Sequence, residues 1–268
     1  LAVAAKANNG IVLAQVKQVT AAGHIPPHEV RVPGAMIDAV VIAPDQLQTT
    51  QTPYDPAISG QVFKPLDSLE IPEMSVNKVI ARRVAMEMMP GWNVNIGFGA
   101  SANVPRILLE EGLHGDVTWM IEQGAVGGVP LLDFKFGCSA NAEAFVSSPH
   151  QFAYFQASGF DAALLSFLEV GETGDVNVSR LRAVPHRTAG VGGFIDITSR
   201  GQKVVFSGQF KAGAKFEITD SGLRIVREGK IAKFTKAVDQ VTFSGKRAKE
   251  LDQDITYVTE RAVIKLVD

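Results

Sequence analysis

Residues 93–122, NVNIGFGASANVPRILLEEGLHGDVTWMIE, decide the fold. Asn93 to Phe98 reads as a strand, Gly99 to Asn103 as a turn of small residues, and Pro105 to Glu111 as a helix stopped near Gly112. Asp116 to Ile121 is the next strand, and it delivers Glu122 to a glycine-rich loop. Strand, turn, helix and strand within about 30 residues form a βαβ unit, whose crossover requires parallel strands with the helix on one face. The expected fold class is α/β, an open, mainly parallel sheet with flanking helices. Ligands of such sheets bind beyond the carboxyl ends of the strands, where Gly97, Gly99 and Glu122 should lie.

Upstream, Ser75 has the character of an N-cap, and Val79, Ile80, Val84, Ala85 and Met88 recur at helical spacing until Pro90-Gly91. Before it, Pro44, Pro53, Pro56, Pro65 and Pro72 break any periodicity, which predicts an extended interdomain connection. The first forty residues read as the tail of another α/β unit: a short helix over Leu1 to Ala7, a stop at Asn8-Asn9-Gly10 and a strand from Ile11 to Val16. A helix that opens at residue 1 without a cap suggests a lost beginning. The expected domains are thus a tail at 1–43, a linker at 44–74 and a main domain at 75–268.

Downstream, Ala140 to Val146 and His150 to Ala157 are expected as helices, and Ala162 to Val170, Asp175 to Ser179 and Val204 to Phe210 as strands. Lys215 to Ile218 and Leu223 to Arg227 should pair across Asp220-Ser221-Gly222. The lysines and arginines after Arg227 interleave with apolar residues, as on a solvated sheet face.

Composition narrows the function classes. The 268 residues are 46% hydrophobic and 20% charged with a net charge of −2, which excludes disorder and leaves no broad basic footprint for nucleic acid. No apolar run approaches the roughly 20 residues of a membrane-spanning helix. A single cysteine excludes an internal disulfide and fits a reducing, cytoplasmic compartment. His24, His28, His114, His150 and His186 are dispersed without metal-ligand spacing, so no metal is expected. Cys138 reads as a small core residue, and Met86, Met88 and Met89 as core filler on a helix.

Three segments carry possible chemistry. Asn95 to Asn103, NIGFGASAN, matches G-x-G-x-x-A, and Glu122 stands 20 positions after Ala102, where a dinucleotide site places its ribose-binding acid. That makes an NAD-dependent oxidoreductase one reading; a tight turn that wants small residues is the other. Ile121 to Pro130, IEQGAVGGVP, places a glutamate at a strand end among Gly124, Gly127 and Gly128. A carboxylate ionised at neutral pH is a nucleophile that needs no activating base, although a solvated strand-end glutamate fits the same spacing. Arg187 to Asp196, RTAGVGGFID, suits a backbone nest facing an anion, or simply a close approach of two elements.

In order and spacing, NIGFGASANVPRILLEEG, VTWMIEQGAVGGVP, SPHQFAYFQASGFDAALLSFLEVGETGDVNVSR, GVGGFIDIT, VVFSGQF, VTFSG and YVTERAVIKL resemble the family I CoA-transferases. The likeness runs from ANNGIVLAQV onward and is greatest to the short-chain acyl-CoA branch that includes acetate and propionate CoA-transferases. Succinyl-CoA:3-oxoacid CoA-transferase is a more distant relative. The resemblance implies a ping-pong exchange of CoA between carboxylates, with Glu122 as the nucleophile and a γ-glutamyl-CoA thioester as intermediate. Gly193 would donate its N–H to the oxyanion. Gly97, Gly99, Gly127, Gly128 and Gly192 would lie about the CoA site, with coenzyme A as substrate and no tightly bound cofactor. It further implies acyl-CoA and short-chain carboxylate partners, self-association, and a long N-terminal α/β domain preceding this chain. A non-catalytic acyl-CoA-binding half that depends on that domain is the non-enzymatic alternative.

Overall fold

The computed structural model describes residues 1–157, 159–186 and 188–267. Arg187, the first residue of the RTAGVGGFID segment, lies outside them. Contacts divide the chain into two units, Leu1–Asp55 and Pro56–Asp268.

In the first unit, α1 (Ala2–Ala7) leads through Asn9, in the left-handed region at φ 56°, to β1 (Leu13–Val16), which pairs in parallel with β2 (Ala39–Ile42). The Asp38 carboxylate accepts from the Lys6 ammonium and from the Val12 N–H, joining the helix to both strands. These bonds hold the Asp38 carboxyl below its ordinary range.

The second unit opens with residues 56–74, the latter part of the stretch expected as a linker. Here Ile58 and Leu69 are buried in a small cluster with Val129, Leu131 and Ala140. Ser75 caps α2 (Val76–Ala85), its side chain accepting from the Lys78 N–H as expected. The helix stops well short of Pro90, so Met86 and Met89 lie beyond it and are exposed, and only Met88 packs on the core.

Next come β3 (Trp92–Ile96), α3 (Val104–Glu110) and β4 (Val117–Met120), with β3 and β4 parallel: the βαβ unit read from residues 93–122. The chain then reverses through β5 (Ala125–Val126), β6 (Val129–Pro130), β7 (Ser139–Ala140) and β8 (Ala144–Phe145). The helix expected over Ala140 to Val146 is therefore two short strands. Glycines at 127 and 128 turn the chain back, so β6 and β5 offer antiparallel partners to β7 and β8, while Asn141 adopts the left-handed region between them.

After α4 (Ser148–Gln156), β9 (Ala162–Ser166) and β10 (Glu169–Gly171) are separate strands rather than the single one expected from Ala162 to Val170. β11 (Val176–Asn177) pairs with β10, α5 (Phe194–Arg200) precedes β12 (Lys203–Ser207), and β13 (Lys211–Ala212) follows. β14 (Lys215–Thr219) and β15 (Gly222–Arg227) form the expected hairpin. β16 (Ile231–Ala232), β17 (Phe234–Thr235), α6 (Gly245–Glu250), β18 (Asp254–Val258) and β19 (Val263–Lys265) complete the unit.

The main sheet has the order β19-β18-β12-β9-β3-β4-β5-β8. Its five inner strands from β18 to β4 are mutually parallel, and β19 and β5 add antiparallel borders. Because side chains alternate along a strand, the two faces carry separate cores. On one, Val94, Ile96, Trp119 and Leu164 meet Ile80, Val84 and Ile107 of α2 and α3. On the other, Met120, Ala163, Leu165 and Phe206 meet Phe155, Ile197 and Ala248 of α4, α5 and α6. Near-continuous apolar strands covered on both faces are what a parallel sheet requires.

Candidate active site

The carboxyl end of β4 delivers Glu122 into a tight reversal. The Gly124 N–H donates to the Ile121 carbonyl at 2.8 Å, and the Ile121 N–H donates to the Ala125 carbonyl at 3.0 Å. Outside the turn, the Val146 N–H donates to the Gly124 carbonyl at 2.9 Å, and the Ser148 hydroxyl to the Glu122 carbonyl at 3.2 Å. The reversal is thereby bonded to the entry of α4.

Gly124 has φ +110°, and a Cβ there would stand 2.0 Å from the Val146 carbonyl oxygen. Gly124→Ala is accordingly expected to destabilise the protein by at least about 2 kcal/mol, since strained backbone and a backbone clash act together. A drop in the denaturant midpoint would register this; an unmoved midpoint would contradict the tight approach.

The side chain of Glu122 is half-buried and meets the loop 190–193 from far along the chain. The Gly193 N–H donates to Glu122 Oε2 at 3.1 Å. A Cβ on Gly193 would lie 2.5 Å from that oxygen and 2.6 Å from the Phe152 ring, and a Cβ on Gly192 would lie 3.2 Å from Oε1. Glycine at both positions thus leaves room for a carboxylate against bare backbone. Among the described residues Glu122 makes no ion pair, and the group that meets its carboxylate is the Gly193 peptide N–H.

The other expected site glycines stand at neighbouring strand ends. The Gly97 N–H donates to the Leu164 carbonyl at 2.7 Å, and Gly99 abuts Ser166, so the Gly97-Phe98-Gly99 turn lies at the carboxyl ends of β3 and β9. Phe98 is exposed and stacks edge-on against Phe136 at 5.3 Å. Gly127 and Gly128 instead close the reversal after β5: the Gly127 N–H donates to the Trp119 carbonyl, and Gly128 presses on the Ala140 carbonyl. Among the described residues, none of these four glycines hydrogen-bonds the Glu122 carboxylate. The structure therefore brings together Glu122, Gly192 and Gly193, and sets Gly97 and Gly99 at the adjacent strand ends.

Ser148 and Phe152 were not singled out from the sequence. Their signal was the i, i+4 spacing in SPHQF, which puts both on one side of α4. A dinucleotide turn would have Glu122 serve a ribose beyond Gly97-Phe98-Gly99, whereas its carboxylate is held by Gly193. Cys138 is half-buried, and burial pushes its thiol up in pKa, in keeping with a packing role. Among the described residues no group of three or more His, Cys, Asp or Glu could hold a metal, and no helix is long and apolar enough to cross a membrane.

No family model matches the chain. Caffeate CoA-transferase of Acetobacterium woodii is 42% identical over 273 residues, spanning 100% of this chain and 52% of that enzyme. Acetate CoA-transferase YdiF of Escherichia coli (strain K12) is 38% identical over 263 residues, 97% of this chain and 49% of the enzyme. The crystal structure of the YdiF acyl-CoA transferase of E. coli O157:H7 as a thioester complex with CoA superposes with a TM-score of 0.86 at 34% identity. It covers 100% of this chain and 49% of that one. The chain spans about half the length of the relatives it matches. Along its whole length, in sequence and in its parallel sheet, this chain is similar to one half of these CoA-transferases.

Proposed function

We propose that the chain is the nucleophile-bearing part of an acyl-CoA:carboxylate CoA-transferase, with Glu122 as the nucleophile. The observation that carries the reading is the Glu122 carboxylate, unpaired with any cation among the described residues and faced by the Gly193 N–H at 3.1 Å.

An ionised Glu122 oxygen attacks the thioester carbonyl of the acyl-CoA donor, the carbon–sulfur bond breaks, and CoA leaves as thiolate. The thiolate attacks the γ-carbonyl of the resulting mixed anhydride, the donor acid departs as carboxylate, and CoA remains on Glu122 as a thioester. An acceptor carboxylate then reverses both steps and leaves as the new acyl-CoA. No proton has to move and nothing is oxidised, so the nucleophile needs no general base. What each step does need is a donor for the developing oxyanion, the role proposed for the Gly193 N–H, and exclusion of water from the thioester.

In the same reading, Gly97, Gly99 and Gly192 line the approach of CoA, Gly127 and Gly128 shape the loop that follows the nucleophile's turn, and short-chain acids are the exchanged carboxylates. The half of the relatives that this chain does not match supplies the facing wall, and self-association follows the family pattern. The relatives' own names, caffeate and acetate CoA-transferase, supply the first acids to try.

Intact-mass measurement tests the proposal on the protein as its gene encodes it. Incubation with acetyl-CoA or propionyl-CoA should add the mass of CoA less one water, and peptide mapping should locate it on Glu122. A protein that turns over acyl-CoA without carrying CoA at Glu122 would sink the reading.

A further inference from the structure

Two amide side chains near Glu122 are each 1% exposed and each hold one unmet hydrogen-bonding atom. The Nδ2 of Asn95 donates to the Met120 carbonyl at 3.2 Å, which fixes its Oδ1 as an acceptor, and among the described residues nothing donates to that oxygen. The Nε2 of Gln151 has no acceptor among the described residues. Leaving such an atom dry in the core is unfavourable. The two are complementary, one acceptor and one donor.

Topology puts them on one face of the sheet. Asn95 lies between Val94 and Ile96, which point into the core under α2 and α3, so its own side chain points to the opposite face, beside its register partners Met120 and Ala163. That face is covered by α4 through the buried Phe155, and Gln151 sits one helical turn before Phe155 on the same side. The Ser148 hydroxyl meets the Glu122 carbonyl at the top of β4, and α4 descends from there toward the start of β9. Three residues of helix bring Gln151 about 4.5 Å down. Two residues of strand bring Met120, and Asn95 beside it, about 6–7 Å below Glu122. A side chain as long as glutamine spans that difference.

We propose that Asn95 and Gln151 form a buried water site: one water accepts from Gln151 Nε2 and donates to Asn95 Oδ1, tying β3 to α4 beneath the nucleophile. Such a water has the two polar partners it needs. The link closes a frame around the Glu122 turn. Asn95 grips the Met120 carbonyl two residues before Glu122, and Ser148, on the same helix as Gln151, grips the Glu122 carbonyl itself. Asn95 and Gln151 are thus positioning residues, a role that rests on the reading of Glu122 as nucleophile.

A high-resolution crystal structure of the unaltered protein should show an ordered water within about 2.7–3.2 Å of both atoms. A dry gap, or other partners for both amides, would overturn the site without touching the nucleophile reading. Gln151→Met keeps the length and removes the donor. In single-turnover experiments at saturating acyl-CoA it should slow formation of the CoA adduct by about tenfold to a hundredfold, the scale of small misplacement of a reacting group. The acyl-CoA concentration for half-saturation should not change. An unaltered rate would overturn the positioning role even with the water in place, whereas absence of any adduct on the unaltered protein would count against Glu122 instead. Should Gln151→Met fail to fold, the crystallographic result alone decides the water site.

Discussion

Glu122→Gln is expected to abolish covalent capture of CoA and to lower CoA transfer by at least about 10⁴-fold, the scale seen when a catalytic nucleophile is removed. The amide has nearly the same shape, and its oxygen can still accept from the Gly193 N–H. The bonds that hold the turn run through the backbone of residues 121–125 and do not involve the carboxylate. Folding should therefore be unaffected, and only the reactivity proposed for the carboxylate is lost. Circular dichroism and initial rates on the same preparation separate the two quantities. Retained transfer with an intact fold would assign the nucleophile elsewhere.

Gly193→Ala should be the next most damaging change in the site, and for a different reason. Its φ of −78° is open to any residue, so the backbone is unstrained by the substitution. The new Cβ, however, would stand 2.5 Å from Glu122 Oε2 and 2.6 Å from the Phe152 ring, well inside contact distance on two sides. Either the carboxylate or the loop must shift by a substantial fraction of an ångström, and the N–H then no longer points at the oxygen. Loss of one well-aimed oxyanion donor costs about 10²–10³ in rate. Adduct formation should fall by that amount, with a stability loss of only about 1–3 kcal/mol from overpacking. Gly192→Ala, whose Cβ would be 3.2 Å from Oε1, should be the milder of the pair in rate. A Gly193→Ala protein as fast as the unaltered one would mean that the Glu122–Gly193 contact is not the reactive arrangement.

The βαβ unit at residues 93–122 was legible because periodicity changes from strand to helix and back within one short stretch, punctuated by Gly97, Gly99 and Gly112. The strands of Ala140 and Ala144 were not: two-residue pairings carry no period, and the glycines that create their partners, Gly127 and Gly128, lie in a separate segment well before them. Similarly, the apolar run from Ala162 to Val170 gives no hint of where one strand ends and the next begins, since both segments are buried. Within the site, the neighbourhood of Glu122 could be read from its glycines. Its partner could not be found by spacing, because Gly193 is 71 positions away and the meeting is made by α4 and α5 packing on one face of the sheet. Only resemblance to a family linked the two segments. The two buried amides were invisible for a further reason: an asparagine inside VNI and a glutamine inside PHQF look like surface residues until the sheet's sidedness is known.

Reversals that carry functional groups are often the first parts of a protein to open, having few bonds to hold them. The one bearing Glu122 is tied at Ile121, Glu122 and Gly124 to β5, to α4 and to the strand edge at Val146, and it is flanked by Ile121 and Ala125, both in the core. It therefore belongs to the same cooperative block as the sheet. On warming, the position of the Glu122 carboxylate and the surrounding tertiary structure would be lost in a single transition, with no folded species between them in which the turn alone has opened.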